Sequence, residues 1–206
     1  VIGICEETTT MSTATIEGAF KVQLIGLVKN ANGNLNIMEF AIKPLQKKLK
    51  LPVILISGTS AEAGKTTLMK NVLGFLSEHT KIAAFKITGT GGMLDCNVYK
   101  NAGAHFTADQ VDCGLITTYT QPKHFEDHIQ KAFLAAQESG CQLILAELGG
   151  DLPGANNPAL LKAKFLIDQI HSLIVINNDA LSIMGSQAFL KKIDFKGVSP
   201  LVLLQQ

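Results

Sequence analysis

Leu51-Pro52-Val53-Ile54-Leu55-Ile56-Ser57-Gly58-Thr59-Ser60-Ala61-Glu62-Ala63-Gly64-Lys65-Thr66-Thr67 is the stretch on which the fold turns. An apolar run bracketed by Pro52 and Gly58 reads as a buried strand. A loop of small residues follows, and then Gly-Lys-Thr opens a helix. Leu68, Met69, Val72, Leu73 and Leu76 recur at helical spacing after it. A strand, small-residue loop and helix in that order form an anion cradle. Successive backbone N–H groups line a concavity, and the helix N-terminus adds partial positive charge. In such a cradle a lysine at position 65 reaches the β- and γ-phosphates, and the Thr66 hydroxyl is placed to ligate Mg²⁺. The candidate nucleotide-binding residues are therefore Gly58, Thr59, Ser60, Glu62, Ala63, Gly64, Lys65, Thr66 and Thr67. The strict motif would put its first glycine at position 59; here that residue is Thr59, and Gly58 stands one place earlier.

Composition narrows the chemistry. The 206 residues are 47% hydrophobic and 17% charged, which suits one compact α/β domain with a small appendage. The net charge of +1 gives no broad field for nucleic acid or an anionic membrane, and neither is expected as a partner. All 18 basic residues are lysines. The chain therefore supplies no arginine finger in cis and no bidentate guanidinium; cationic help at a phosphoryl group must come from lysine, Mg²⁺ or backbone amides. The four cysteines, Cys5, Cys96, Cys113 and Cys141, form no Cys-x-x-Cys pair, and a reducing, cytoplasmic setting is the expectation. No apolar run approaches the length of a membrane span.

Residues 1–50 read as a small β-containing unit with a basic connector. The mostly apolar run 21–28, the turn cluster Asn30-Ala31-Asn32-Gly33-Asn34 and the partly alternating run 35–42 predict a hairpin with its tip near Asn32-Gly33. From residue 51 to 206, strands and helices alternate. Strands are expected at 53–56, 82–87, 142–146, 172–176 and 201–204, with a short strand or turn at 111–117. Helices are expected after Lys65 and at 122–137, 158–170 and 180–193. Short apolar strands separated by helices predict a P-loop NTPase-type parallel sheet with helices on both faces.

Ligands of such sheets bind beyond the carboxyl ends of the strands. After the second strand comes Lys86-Ile87-Thr88-Gly89-Thr90-Gly91-Gly92, where a lysine ending an apolar strand needs a counter-charge unless it snorkels to the sheet edge. A phosphate or carboxylate would supply one. After the third comes Glu147-Leu148-Gly149-Gly150-Asp151. An acid ending a strand parallel to the phosphate-loop strand commonly holds Mg²⁺, so Glu147 is a candidate metal ligand and Asp151 its fallback. Asp95, Asp109 and Asp112 are candidates to complete the Mg²⁺ shell, with Asp112 as the third ligand beside Thr66 and Glu147; each reads equally as a solvated turn acid. Asn177-Asn178-Asp179 reads equally as a helix N-cap and as part of a nucleotide pocket. His124 and His128 lie one helical turn apart, but without a third ligand the default is a solvated helix face.

The run Gly58–Thr66 resembles the phosphate loop of dethiobiotin synthetase, Gly-Thr-Asp-Thr-Glu-Val-Gly-Lys-Thr, in which the early glycine is normal. Lys86 matches that family's lysine at the end of the second strand, and Glu147-Leu148-Gly149-Gly150 its Glu-Gly-Ala-Gly-Gly loop. Cobyrinic acid amide synthases and molybdopterin cofactor adaptor proteins are related. The resemblance implies a homodimeric, ATP-dependent carbon–nitrogen ligase using Mg²⁺. Lys65, Lys86 and Glu147 would be its catalytic residues, with Lys86 holding a small carboxylate or amine substrate. Two positions depart from the family: Ile87 replaces a proline and Ser60 an aspartate. The glycine-rich loop after Lys86 points to a different acceptor. The reading from another class is a nucleotide-dependent switch or sensor ATPase that regulates an attached or partner protein.

Overall fold

A computed structural model describes residues 25–120 and 122–204. The chain divides into two compact units, Val1–Asn36 and Ile37–Gln206. In the first, β1 (Lys29–Asn30) pairs antiparallel with β2 (Gly33–Asn34). The turn residues between them are Ala31 and Asn32, so the tip sits one residue earlier than expected. Asn30 Oδ1 accepts from the Asn32 N–H at 2.8 Å, a short-side-chain turn device. The part of the expected N-terminal strand before residue 25 lies outside the described residues.

The second unit begins with a 3₁₀ turn, Ile37–Phe40, where alternation had suggested strand. Residues 43–50 carry no regular structure. They are tied down by α3 (Phe125–Glu138), whose Glu138 carboxylate accepts from the N–H groups of Leu45 and Gln46, each at 2.6 Å.

Six strands form the central sheet: β3 (Val53–Gly58), β4 (Ile82–Lys86), β5 (Phe106–Asp109), β6 (Leu143–Glu147), β7 (Ile170–Asn177) and β8 (Leu201–Leu204). Their order is β5-β4-β6-β3-β7-β8, and every pairing is parallel. Alternate strand residues face opposite sides, and here both sides are covered. Ile54, Ile56, Ala84, Leu145 and Ile176 pack with Met69 and Leu73 of α1 (Lys65–Leu76) and Tyr99 of α2 (Met93–Asn101). Val53, Leu55, Phe85, Ile144 and Leu173 face α3, α4 (Asn157–Leu161) and α5 (Ala180–Lys192) through Ile129, Phe133, Leu160 and Leu190. Burial on both faces is why these strands read as continuous apolar runs rather than alternating ones. No helix among the described residues is long and apolar enough to cross a membrane.

Three elements differ from expectation. Of the strand or turn expected at 111–117 the turn is found, with a single bridge between Thr90 and Thr117, and the strand after β4 is β5, which no expectation covered. Phe106-Thr107-Ala108-Asp109 is short and half polar, as an edge strand can be, so it shows no apolar run. Helix α2 lies in a segment that reads as mixed polar. Its Met93 and Leu94 are exposed while Tyr99 is buried, so apolar periodicity does not reveal it. Finally, the helix expected at 158–170 is only α4 followed by a 3₁₀ turn at Ile167–Gln169. The parallel pairing of β7 with β3 extends back to Ile170 and takes that residue into the sheet.

Candidate functional site

The loop from β3 to α1 closes tightly on its first glycine. A Cβ at Gly58 would lie 2.8 Å from the Ala63 Cβ and 3.4 Å from the Lys65 stem. That close approach is the physical reason for a glycine one place ahead of the strict motif. Gly64 caps α1 with φ +86°, a left-handed conformation, and no side chain caps the helix. The N–H groups of the first turn are thus left to the loop, as an anion site requires. The Thr59 N–H donates to Ile176 O at 3.0 Å and anchors the loop to β7.

Lys65 is 3% exposed. Its Nζ donates to Ser60 O at 2.7 Å and Ala61 O at 3.1 Å, so the ammonium curls over the loop from inside. Burial holds its pKa below the ordinary lysine value, against the opposing pull of Glu147.

Register brings the other charged residues to the same edge. Glu147 stands between Ile56 on β3 and Lys86 on β4. The carboxylate is 2% exposed and accepts from Thr66 Oγ1 (3.0 and 3.2 Å to its two oxygens) and from the Tyr99 hydroxyl at 2.5 Å. Burial and the Glu147 charge push the Tyr99 phenol up, so it stays a donor. Lys86 Nζ meets Asp95 Oδ2 at 2.7 Å. Burial works against that ammonium, but the hydrogen bond and charge of Asp95 hold it above its ordinary value. The counter-charge that Lys86 needs is thus Asp95, and the lysine does not snorkel away.

Lys65, Lys86, Thr66 and Glu147 are therefore brought together. Asp112 is not: its carboxylate accepts from the Asp109 N–H at 3.0 Å, in the turn that follows the edge strand β5. With Asp109, Cys96 and Asn97 it lines a cleft of about 460 Å³ between α2 and the end of β5. The Cys96 thiol there is pushed up to about 12 by burial and by the charges of Asp109 and Asp112, so it is no thiolate. Asp151 lies within charge range of Lys65. Asp179 caps α5, accepting from the Ser182 N–H at 2.7 Å in a capping box. Asn178 still reaches the loop, donating to Ser60 Oγ at 3.2 Å. His128 is buried, its Nδ1 3.0 Å from Cys113 O, whereas His124 is exposed beside Asp127, so the two share neither a face nor a ligand. No group of three or more metal-binding His, Cys, Asp or Glu occurs among the described residues.

Reading from sequence missed Tyr99, Asp95 as the partner of Lys86, and a buried polar set behind the site. In that set Thr88 Oγ1 donates to Asn157 Oδ1 (2.6 Å) and accepts from the Gly149 N–H (3.0 Å). Asn157 Nδ2 donates to Gly149 O (3.1 Å) and Asp151 O (2.8 Å). The loops after β4 and β6 are thereby locked together. An asparagine just ahead of an expected helix is a weak signal, because asparagine is common at helix starts whatever its partners.

Burial leaves the Glu147 carboxyl above its ordinary range despite its donors. A folded pKa above the unfolded one costs stability in full above the folded pKa, and the cost fades as pH falls through it. Glu147→Gln is therefore expected to raise the melting temperature of the protein alone at neutral pH, with the gap closing in mild acid. Thermal denaturation across that range checks it; a variant less stable than the wild type throughout would contradict the assignment of a net desolvation cost.

No protein-family model matches the sequence, and no curated protein matches it. Solved structures do. Chloroplast FtsY from Physcomitrella patens aligns with a TM-score of 0.53 at 14% identity, covering 81% of this chain and 55% of that one. FtsY from Elizabethkingia anophelis in complex with GDP aligns at 0.51 and 16%, covering 80% and 52%. FtsY from Thermotoga maritima aligns at 0.50 and 16%, covering 81% and 58%. The chain thus spans about half the length of the structures it matches. At these identities the likeness is one of fold: the parallel sheet with helices on both faces has the α/β architecture of a P-loop NTPase.

Proposed function

We propose that this chain is a Mg²⁺–ATP-binding P-loop protein of the dethiobiotin synthetase type, activating a small carboxylate or carbamate by phosphoryl transfer. The observation that carries the reading is the convergence of two lysines, a threonine hydroxyl and a buried carboxylate at the carboxyl edge of β3, β4 and β6. These residues fit the groups concerned. The glycine-closed loop and uncapped helix start suit a polyphosphate, and Thr66 with Glu147 offers the hard oxygen donors that Mg²⁺ takes. Bound Mg²⁺–ATP would supply the phosphoryl group.

The chain's own residues supply the rest. Lys65 turns its ammonium from the Ser60 and Ala61 carbonyls to the terminal phosphates. Loop amides hold the anion with dipoles already oriented, so no reorganisation is needed as charge shifts. Lys86 exchanges Asp95 for the acceptor's carboxylate or carbamate and sets it beside the γ-phosphate. In a chain without arginine, these two lysines and the amides carry the cationic burden. Assembly as a homodimer and a cytoplasmic setting belong to the same proposal.

The second reading, a nucleotide-dependent switch, is favoured by the Thr88–Gly149–Asn157 lock, which would transmit a change at the β6 loop to the β4 loop. Thermal denaturation with ATP or GTP, each with and without Mg²⁺, tests the shared core. Binding at about 100 times Kd adds about 2.7 kcal/mol of stability by mass action. A raised melting temperature with Mg²⁺–ATP is expected, and no response to either nucleotide would overturn the proposal. Phosphate release stimulated by small carboxylates or amines supports the ligase; release stimulated only by a protein partner supports the switch.

A further inference from the structure

Helix α2 enters the site with two side chains from one face. Asp95 and Tyr99 are four residues apart, the spacing at which helical side chains are neighbours. One meets Lys86 and the other Glu147. Tyr99 is fully buried, with its ring among Met69, Leu73 and Leu145 and its hydroxyl on Glu147 Oε2. A phenol placed in an apolar layer needs a polar partner for its one hydroxyl, and here that partner is the very carboxylate assigned to the cation.

The terminal torsion of a glutamate is broad and poorly self-ordering. Lys65 and Lys86 both lie within charge range of Glu147, and each attracts the carboxylate. An ammonium bonded to it would orient it but cancel the charge that attracts a divalent cation. A neutral hydroxyl orients it and leaves that charge intact.

We infer that Tyr99 is a positioning residue: its hydroxyl pins Glu147 Oε2 and so presents Oε1, alongside Thr66 Oγ1, to a divalent cation. The inference rests on the reading above that Thr66 and Glu147 hold Mg²⁺. Partners of metal ligands in this role typically control affinity by about 10–100-fold.

Tyr99→Phe keeps the ring and deletes the hydroxyl. Titration of Mn²⁺ into the protein saturated with a non-hydrolysable ATP analogue, followed by electron paramagnetic resonance, is expected to show cation binding weakened about 10-fold or more. Analogue affinity in chelator should change less than cation affinity, because the deleted hydroxyl meets the side chains of Glu147 and Thr66 and not the loop amides or Lys65. A variant that loses only melting temperature and binds Mn²⁺ like the wild type would overturn the inference while leaving the site intact. A wild type whose analogue complex takes up no Mn²⁺ would overturn both. A second readout needs no loss of the hydroxyl. The chain has two tyrosines and no tryptophan, so Tyr119→Phe leaves Tyr99 as its only near-ultraviolet phenol. Its absorption band should shift when Mn²⁺ and the analogue are added together and not with the analogue alone. An unmoved band would count against a hydroxyl shared with the metal-binding carboxylate.

Discussion

Lys65→Ala is expected to weaken Mg²⁺–ATP binding by about 100-fold or more. A hydrogen bond to a charged group contributes about 1.5–3 kcal/mol, and an ammonium reaching both the β- and γ-phosphates makes two. The variant should nonetheless fold. In the protein alone the ammonium is buried and its pKa is lowered, chiefly by burial. A lysine whose folded pKa lies below its unfolded value of 10.5 costs stability throughout the neutral range, and the cost is relieved only as pH rises through the folded pKa. Removing it therefore takes away that penalty along with the two bonds to Ser60 and Ala61. Calorimetric titration should show lost affinity beside a melting temperature, without nucleotide, close to that of the wild type. Equal ATP affinity in variant and wild type would sink the anion cradle and the proposed function with it.

Gly149→Ala is expected to destabilise the fold by about 3 kcal/mol or more. A Cβ there would lie 2.2 Å from Thr88 O, 3.0 Å from Thr88 C and 3.1 Å from Gly89 Cα. All three are backbone atoms, so no flexible side chain can give way. Overpacking alone costs about 1–3 kcal/mol. Parting the loops would also break the Thr88–Gly149–Asn157 hydrogen bonds, and each buried group left unpaired costs about 1–3 kcal/mol. Urea denaturation measures the loss, and a variant within about 0.5 kcal/mol of the wild type, the range of surface substitutions away from such features, would show that the two loops are not rigidly apposed. The same variant should bind Mg²⁺–ATP more weakly, because Gly149 follows Glu147 by two residues and its displacement moves the carboxylate.

The phosphate loop was legible because its determinants are local. An apolar strand, a glycine that admits close approach, a left-handed Gly64 and a helix-opening Gly-Lys-Thr lie within about fifteen consecutive residues, and each acts on its neighbours. Lys86 and Glu147 were legible for a related reason: each ends an apolar strand, and parallel sheets gather such ends on one edge. Helix α2 was not legible, because its buried face amounts to little more than Tyr99 while Met93 and Leu94 face outward. Missing that helix hid Tyr99 and the pairing of Asp95 with Lys86.

Sequence by itself determined the strand–loop–helix cradle, the alternation that builds a parallel sheet and the charged residues that end its strands. These follow from side-chain period, backbone freedom at glycine and the hydrogen bonds of adjacent residues. Only the tertiary structure decided among three similar acids, sending Asp95 to Lys86 and Asp112 to a cleft between α2 and the end of β5. It alone set Tyr99 and Thr66, 48 and 81 residues away in the chain, against the same Glu147 carboxylate. Such contacts depend on strand order and helix placement, which emerge when the whole chain packs and are written in no single stretch of it.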